Sequence, residues 1–207
     1  MTYLPGPNYS LNDHFFHDRL KEYIQEKNVN TVIETGLNDG QSTLAFTKIA
    51  PYVIGIDIDP NCINATRQRL DAAGATNYNL IQGDSAEVLQ RIRPTLQKQL
   101  LIFLDAHWEC VSPLPRELTV VADHYKDICA IILHDFKVPG YEHLIGIPGE
   151  EWGFDGVLLA DGRIVDCDYD LVKPFLDRWS PVHRIEYARA LAPSPGCRRG
   201  WAIVHSN

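Results

Sequence analysis

Residues 32–43 read VIETGLNDGQST, and the way this stretch is read decides the fold. A short β-branched run, TVIET at 31–35, stops at Gly36, and after Gly40 the spacing becomes helical from Ser42 to about Ile49. Strand, glycine turn and helix in succession open a βα unit. Glycine lets the backbone pass close beneath a ligand where a Cβ would clash, and the helix start that follows offers unpaired N–H groups. The spacing is G-x-x-x-G. It matches neither the G-x-G-x-x-G of dinucleotide sites nor the G-K-[ST] of phosphate loops, which argues against NAD and ATP. A plain βα turn with no ligand is the bland alternative.

Outward from this unit the same alternation repeats. YVIGIDI (52–58), YNLIQG (78–83), LLIFLD (100–105) and AIILHD (130–135) read as strands. Helices are predicted over Cys62–Ala73, with Ile63, Thr66, Leu70 and Ala73 inward and Gly74 as the stop, and over Ser85–Ile92. A further helix before residue 130 carries Leu118, Val121, Ala122 and Tyr125 on one face. Near-continuous apolar strands joined by helices imply an α/β fold with a doubly wound, mostly parallel sheet covered on both faces. Upstream, Asn12–Lys27 has Phe16, Leu20, Tyr23 and Ile24 on one helical face, with Ser10 and Asp13 resembling a capping box. Downstream, VHRIEYARAL (182–191) and GWAIVHS (200–206) read as a C-terminal antiparallel hairpin at a sheet edge. The Gly- and Pro-rich stretch 137–165 is predicted to fold over the carboxyl edge of the sheet, within a substrate-side insertion spanning 137–170. One domain over 1–207 is expected, opened by an N-terminal helical segment at 1–28.

Composition narrows the function. The 207 residues are 45% hydrophobic and 22% charged, a soluble globular balance, and no apolar run approaches the ~20 residues of a membrane span. The net charge of −8 disfavours a phosphate backbone as partner. Five dispersed cysteines without a C-x-x-C pair suit free thiols in a reducing compartment and give no zinc site. No signal peptide is read, so a cytoplasmic protein with a small-molecule partner is expected; homo-oligomerisation stays open.

Three acidic positions follow the strands. Asp57 ends the second strand about 20 residues after the glycine turn, where a carboxylate accepts from ribose hydroxyls. Asp59 would do this instead if the strand ran further, although a cap or turn role suits it better because Pro60 follows. Asp84 and Ser85 follow the third strand, where they face an adenine amine or cap the next helix.

Taken in this order, the three segments resemble the class I S-adenosylmethionine-dependent methyltransferases over about residues 29–136 and the terminal hairpin. The form E-T-G-x-x-x-G-x-S-T is similar to the small-molecule branch, including the macrocin-type sugar O-methyltransferases. The resemblance implies a Rossmann-like, seven-stranded sheet and S-adenosylmethionine as cofactor. It also implies a cofactor site formed by Glu34, Thr35, Gly36, Asn38, Gly40, Ser42, Thr43, Asp57, Asp84 and Ser85. Glu34 and Gly36 would lie under the methionine part.

The segments after strands four and five bear on the chemistry. LIFLDAHW (101–108) lacks the [DN]-P-P-[YFW] that resembles methylation of exocyclic amines, so an oxygen acceptor is favoured. Metal-dependent O-methyltransferases resemble the layout in which Asp105, His134 and Asp135 would hold a divalent cation. Their hard-oxygen set suits Mg²⁺, whereas His134 in place of an acidic residue brings transition metals into range. A strand-end histidine bonded to backbone is the alternative for His134. His107 is the candidate general base, with Asp105 beside it, because an attacking hydroxyl must lose a proton and imidazole titrates near neutrality. Trp108, Tyr141, Trp152 and Phe154 are acceptor-pocket candidates or simply packing residues. Asp155, Asp161 and Asp166 read as surface or turn residues.

Two other functions compete. An NAD-dependent reductase would want a dinucleotide fingerprint and a Tyr-x-x-x-Lys pair, both absent. A non-catalytic cofactor-binding module would keep Glu34, Gly36 and Asp57 without the polar groups after strands four and five.

Overall fold

A computed structural model describes residues 14–93, 96, 99–107, 111–140, 156–188 and 200–206, with side chains from His17 onward. Five parallel strands form its centre: β1 (Thr31–Thr35), β2 (Tyr52–Asp57), β3 (Tyr78–Gln82), β4 (Leu100–Leu104) and β5 (Ala130–His134). A separate antiparallel ribbon, β6 (Gly156–Leu158) and β7 (Ile164–Asp166), follows. β8 (His183–Ala188) and β9 (Trp201–Ser206) complete a seven-stranded sheet of order β3-β2-β1-β4-β5-β9-β8, with β9 antiparallel to both neighbours. This is the expected Rossmann-like sheet with its antiparallel edge hairpin.

Helices cover both faces. On one face Leu20, Tyr23 and Ile24 of α1 (His14–Glu26) and Phe46 of α2 (Gln41–Ile49) pack on Val32, Leu101, Phe103 and Ile132. On the other, α4 (Ser85–Ile92), α5 (Leu114–His124) and α6 (Tyr169–Trp179) bring Leu89, Leu118, Val121, Leu176 and Trp179 onto Ile33, Ile102 and Ile131. α3 (Pro60–Ala72) buries Ile63, Thr66 and Leu70 beside α2. Each fully buried side chain of this size contributes about 1.5–3 kcal/mol. With strand residues alternating between the two clusters, a one-residue slip would exchange them.

Several details differ from expectation. Ala73 is exposed: it is the C-cap of α3, one residue past the inward stripe. β2, β4 and β5 each end one residue earlier than their apolar runs suggest, because Ile58, Asp105 and Asp135 leave the ladder. α2 begins at Gln41 rather than Ser42, and α3 at Pro60, capped by Asp59, whose carboxylate accepts from Asn61 N at 2.8 Å. α6 was not foreseen at all. The capping-box residues Ser10 and Asp13 and the aromatic candidates Trp108, Tyr141, Trp152 and Phe154 lie outside the described residues, as do Asp155 and the middle of the 137–165 stretch.

Candidate active site

The strand order reverses between β1 and β4, and ligands of doubly wound sheets sit at the carboxyl ends beside such a point. Register places Thr35 opposite both Ile56 and Leu104, and Leu104 opposite Leu133. The loops after β1, β2, β4 and β5 therefore emerge side by side.

The glycine loop is held from three sides. Gly36 has φ 77°, and a Cβ there would lie 2.5 Å from the Asp105 carbonyl oxygen and 2.6 Å from Ala106 Cα, so the loops after β1 and β4 are in direct contact. Gly40 (φ 78°) presses on Thr66 of α3 with equally little room. From the same helix Arg69 donates to the Asp39 backbone oxygen at 2.7 Å and to its carboxylate at 2.8 Å. Asp57 accepts from Leu37 N at 2.7 Å through one oxygen and from Asp59 N at 2.8 Å through the other. It thus props the loop, and each oxygen keeps acceptor capacity for a further donor.

The remaining cofactor candidates divide by face. Glu34 points to α2, where it accepts a short hydrogen bond from the Ser42 hydroxyl next to the buried Thr43. Burial pushes its carboxyl up to about 8 against the pull of those hydroxyls. Asn38 is exposed in the left-handed region, at φ 49°. Thr35 is completely buried on the opposite face of the sheet, and its carbonyl accepts from Asp105 N at 3.2 Å. For Asp84 the capping alternative holds: it accepts from Glu87 N at 3.1 Å and takes a bidentate pair from Arg116 at 2.8 and 3.1 Å. Ser85 begins α4 beside it and is buried.

Asp105, His134 and Asp135 converge as expected, each with one ligand-type atom within 4.8 Å of the others. His134 is bonded to carboxylate rather than backbone: Nδ1 stands 2.6 Å from Asp105 Oδ1 and 3.4 Å from Asp135 Oδ1. Burial works against a charged imidazole here, yet the two carboxylates outweigh it and hold His134 well above the usual histidine range. Burial also raises Asp105. Asp135, the residue after β5, takes φ 52° and is 4% exposed. His107 joins the cluster, with Nε2 2.8 Å from Asp135 Oδ2 and 3.9 Å from Asp105 Oδ1, a connection its sequence position did not announce.

Sequence reading missed Glu117. It lies on the inner face of α5, fully buried, and burial pushes it up to about 7 although the hydroxyls of Ser85 and Thr35 pull the other way. The signal was there: Glu117 falls between Leu114, Leu118 and Val121, on the buried stripe of the helix. A small cavity of about 20 Å³, room for one water, connects Glu117 with Asp105, His107, His134 and Asp135; Leu114 and Val157 form apolar wall.

Sheet order and loop placement form a Rossmann-like fold that solved methyltransferase structures share. Among solved structures, the chain is similar to an O-methyltransferase from Bacillus cereus in complex with S-adenosylhomocysteine (TM-score 0.65, 15% identity, covering 99% of this chain and 84% of that one). It is also similar to the N-terminal domain of EvdMO1 with S-adenosylhomocysteine bound (TM-score 0.56, 16% identity, 92% and 81%). An rRNA methylase from Streptococcus thermophilus shares the fold as well (TM-score 0.54, 12% identity, 99% and 99%). No family profile matches the chain.

Proposed function

We propose that the protein is an S-adenosylmethionine-dependent O-methyltransferase acting on a small hydroxylated molecule, a sugar or a related metabolite. One observation carries the reading: the glycine loop of the cofactor side packs directly on the Asp105–Ala106 backbone, so the polar cluster after β4 and β5 borders the place where a methyl donor would lie. Group transfer requires such adjacency of two reactants. Asp57 offers its remaining acceptor capacity to the ribose, Ser85 borders the adenine, and Gly36 and Glu34 lie under the methionine part. Asp84 acts jointly with Arg116, which ties α4 to α5 at the adenine side.

The chemistry is an in-line displacement. The acceptor oxygen forms a bond to the methyl carbon as the carbon–sulfur bond breaks, and neutral S-adenosylhomocysteine leaves. The hydroxyl proton passes to His107. Asp135 accepts from His107 Nε2, fixing the tautomer in which Nδ1 is the basic nitrogen. Asp135 Oδ1 faces His134 instead, so the one carboxylate serves both histidines.

The cluster also fits a divalent cation. Its ligand-type atoms have the spread that bonds of ~2.0–2.6 Å need, and among the described residues the buried Nε2 of His134 has no hydrogen-bond partner. Asp105, His134 and Asp135 would hold the ion, which would lower the pKa of the acceptor hydroxyl and orient it. The mixed nitrogen–oxygen set favours Mn²⁺ or Fe²⁺ at least as much as Mg²⁺.

Two considerations support a small, non-nucleic acceptor. The net charge of −8 repels a phosphate backbone, and EvdMO1, whose N-terminal domain shares this fold, has been crystallised in the presence of D-fucose. The test is transfer of labelled methyl from S-adenosylmethionine to a panel of monosaccharides and phenols, with and without chelator. Label in a sugar or phenol ether supports the reading. Label in none of them, from protein that binds the cofactor, would refute the acceptor class.

A further inference from the structure

The small cavity beside the polar cluster is lined by Asp105, His134 and Asp135, the three candidate ligands, and by Glu117 of α5 as well. Its volume of about 20 Å³ admits one water and no carbon skeleton. Glu34, Gly36, Asn38, Gly40, Asp57 and Ser85 are absent from its lining. An oxygen that must meet the methyl donor therefore does not react here. Among the described residues the Nε2 of His134, a side chain only 6% exposed, has no hydrogen-bond partner. Glu117 is 0% exposed, and the hydroxyls of Ser85 and Thr35 stand as its hydrogen-bonding neighbours. Two donors leave a carboxylate with acceptor capacity to spare, since its oxygens offer about four lone-pair sites.

Three protein atoms do not complete the shell of a cation such as Mg²⁺ or Mn²⁺, which takes about six ligands and usually keeps several waters. We propose that Glu117 tunes the cation site without touching the ion: it accepts a hydrogen bond from the one water that the cavity holds, and that water fills a ligand position the acceptor cannot reach. The water gives a lone pair to the ion and a hydrogen to the carboxylate, so the two roles use different atoms. Ser85 and Thr35 keep the carboxylate in place from α4 and β1. Glu117 is thus a positioning residue. It closes one side of the ion and leaves the positions toward the cofactor loop for the acceptor hydroxyl. Partners placed behind a ligand in this way typically contribute 10–100-fold to metal affinity.

This inference rests on the cation reading of the cluster, and the experiment separates the two. Mn²⁺ is titrated calorimetrically, at one pH and without cofactor or acceptor, into wild type, Glu117→Gln and Glu117→Leu. Circular dichroism and Tm verify that each is folded. Glu117→Leu is expected to bind Mn²⁺ roughly 10–100-fold more weakly than wild type. Glu117→Gln should lose less, under about tenfold, because its amide oxygen still accepts. Affinities within about twofold of one another, with or without a lowered Tm, would assign Glu117 to packing alone and overturn the proposal. So would an equal loss in both variants, the mark of a missing charge rather than a missing acceptor. A crystal structure of Mn²⁺-loaded wild type decides the matter even if neither variant folds. It is expected to show one water between the ion and Glu117; an empty cavity, or a Glu117 oxygen on the ion itself, would overturn the proposal and leave the cation site standing. Failure of folded wild type to bind Mn²⁺ would bring down both.

Discussion

Several buried titratable groups, Asp105 among them, share one thermodynamic sign. Glu34 and Glu117, pushed up to about 8 and about 7, bind a proton more readily folded than unfolded. Their contribution to stability is therefore largest at low pH and shrinks as pH climbs from the ordinary carboxylate range to about 8. His134, raised by Asp105 and Asp135, adds to the slope: its stabilisation is present below the ordinary histidine range and is lost above it. Glu186, lowered by its bond to Arg19, acts in the opposite direction but only in the acid range. Metal-free protein is thus expected to lose stability steadily between pH 5 and 8, measured by urea midpoints, with a shallower slope in Glu34→Gln. A flat or rising profile would contradict the burial account. Metal uptake should run the other way, because a cation must displace the proton on His134. Its affinity should rise with pH across the same interval in a calorimetric titration. At the reacting centre, His107→Ala is expected to cut turnover by ~10²–10⁴-fold while cofactor affinity stays nearly intact. Near-normal turnover would move the proton to another group.

Between elements, the decisive contact is the loop after β1 on the loop after β4. A methyl group at Gly36 would meet two backbone atoms and also force a left-handed φ on alanine. Gly36→Ala should cost roughly 3 kcal/mol, combining the strain of that φ with overpacking, and should weaken cofactor binding. Wild-type-like urea midpoints would show that the loops are free to part. The same junction explains what could be read in advance. β1, α2 and the glycine turn follow from period and punctuation within twenty residues, and so do α4 and the outer edge hairpin. The strand ends were placed one residue late because Asp105 and Asp135 continue the apolar runs in sequence while leaving the ladder in space, Asp135 through a positive φ that no pattern encodes. α6 was hidden by Pro174 inside it, although Asp168 caps it through Leu171 N and Val172, Leu176 and Trp179 repeat at helical spacing. Among site residues, types at strand ends were legible one at a time, whereas their pairings were not. That Asp57 props Leu37, that Asp84 is held by Arg116, and that Asp135 meets His107 are contacts between residues 20 or more apart.

Across the molecule, the sheet divides the labour. The half built on β1, β2 and β3 supplies the glycine loop, Asp57 and Ser85. The half built on β4 and β5 supplies Asp105, His107, His134 and Asp135, with Glu117 behind them on α5. Among the described residues no helix is long and apolar enough to cross a membrane. The fold is shared by an O-methyltransferase and an rRNA methylase, so it does not by itself choose the acceptor; the proposal assigns the acceptor to the second half and the cofactor to the first. The proposed cofactor half is the more direct to test. Calorimetric titration of S-adenosylhomocysteine into wild type and Asp57→Ala, with far-UV circular dichroism to verify that both are folded, addresses it in one experiment. The account predicts saturable binding to wild type and a loss of roughly 1–3 kcal/mol, about 5–150-fold in affinity, in the variant. No binding to folded wild type, or equal affinity in both, would contradict it.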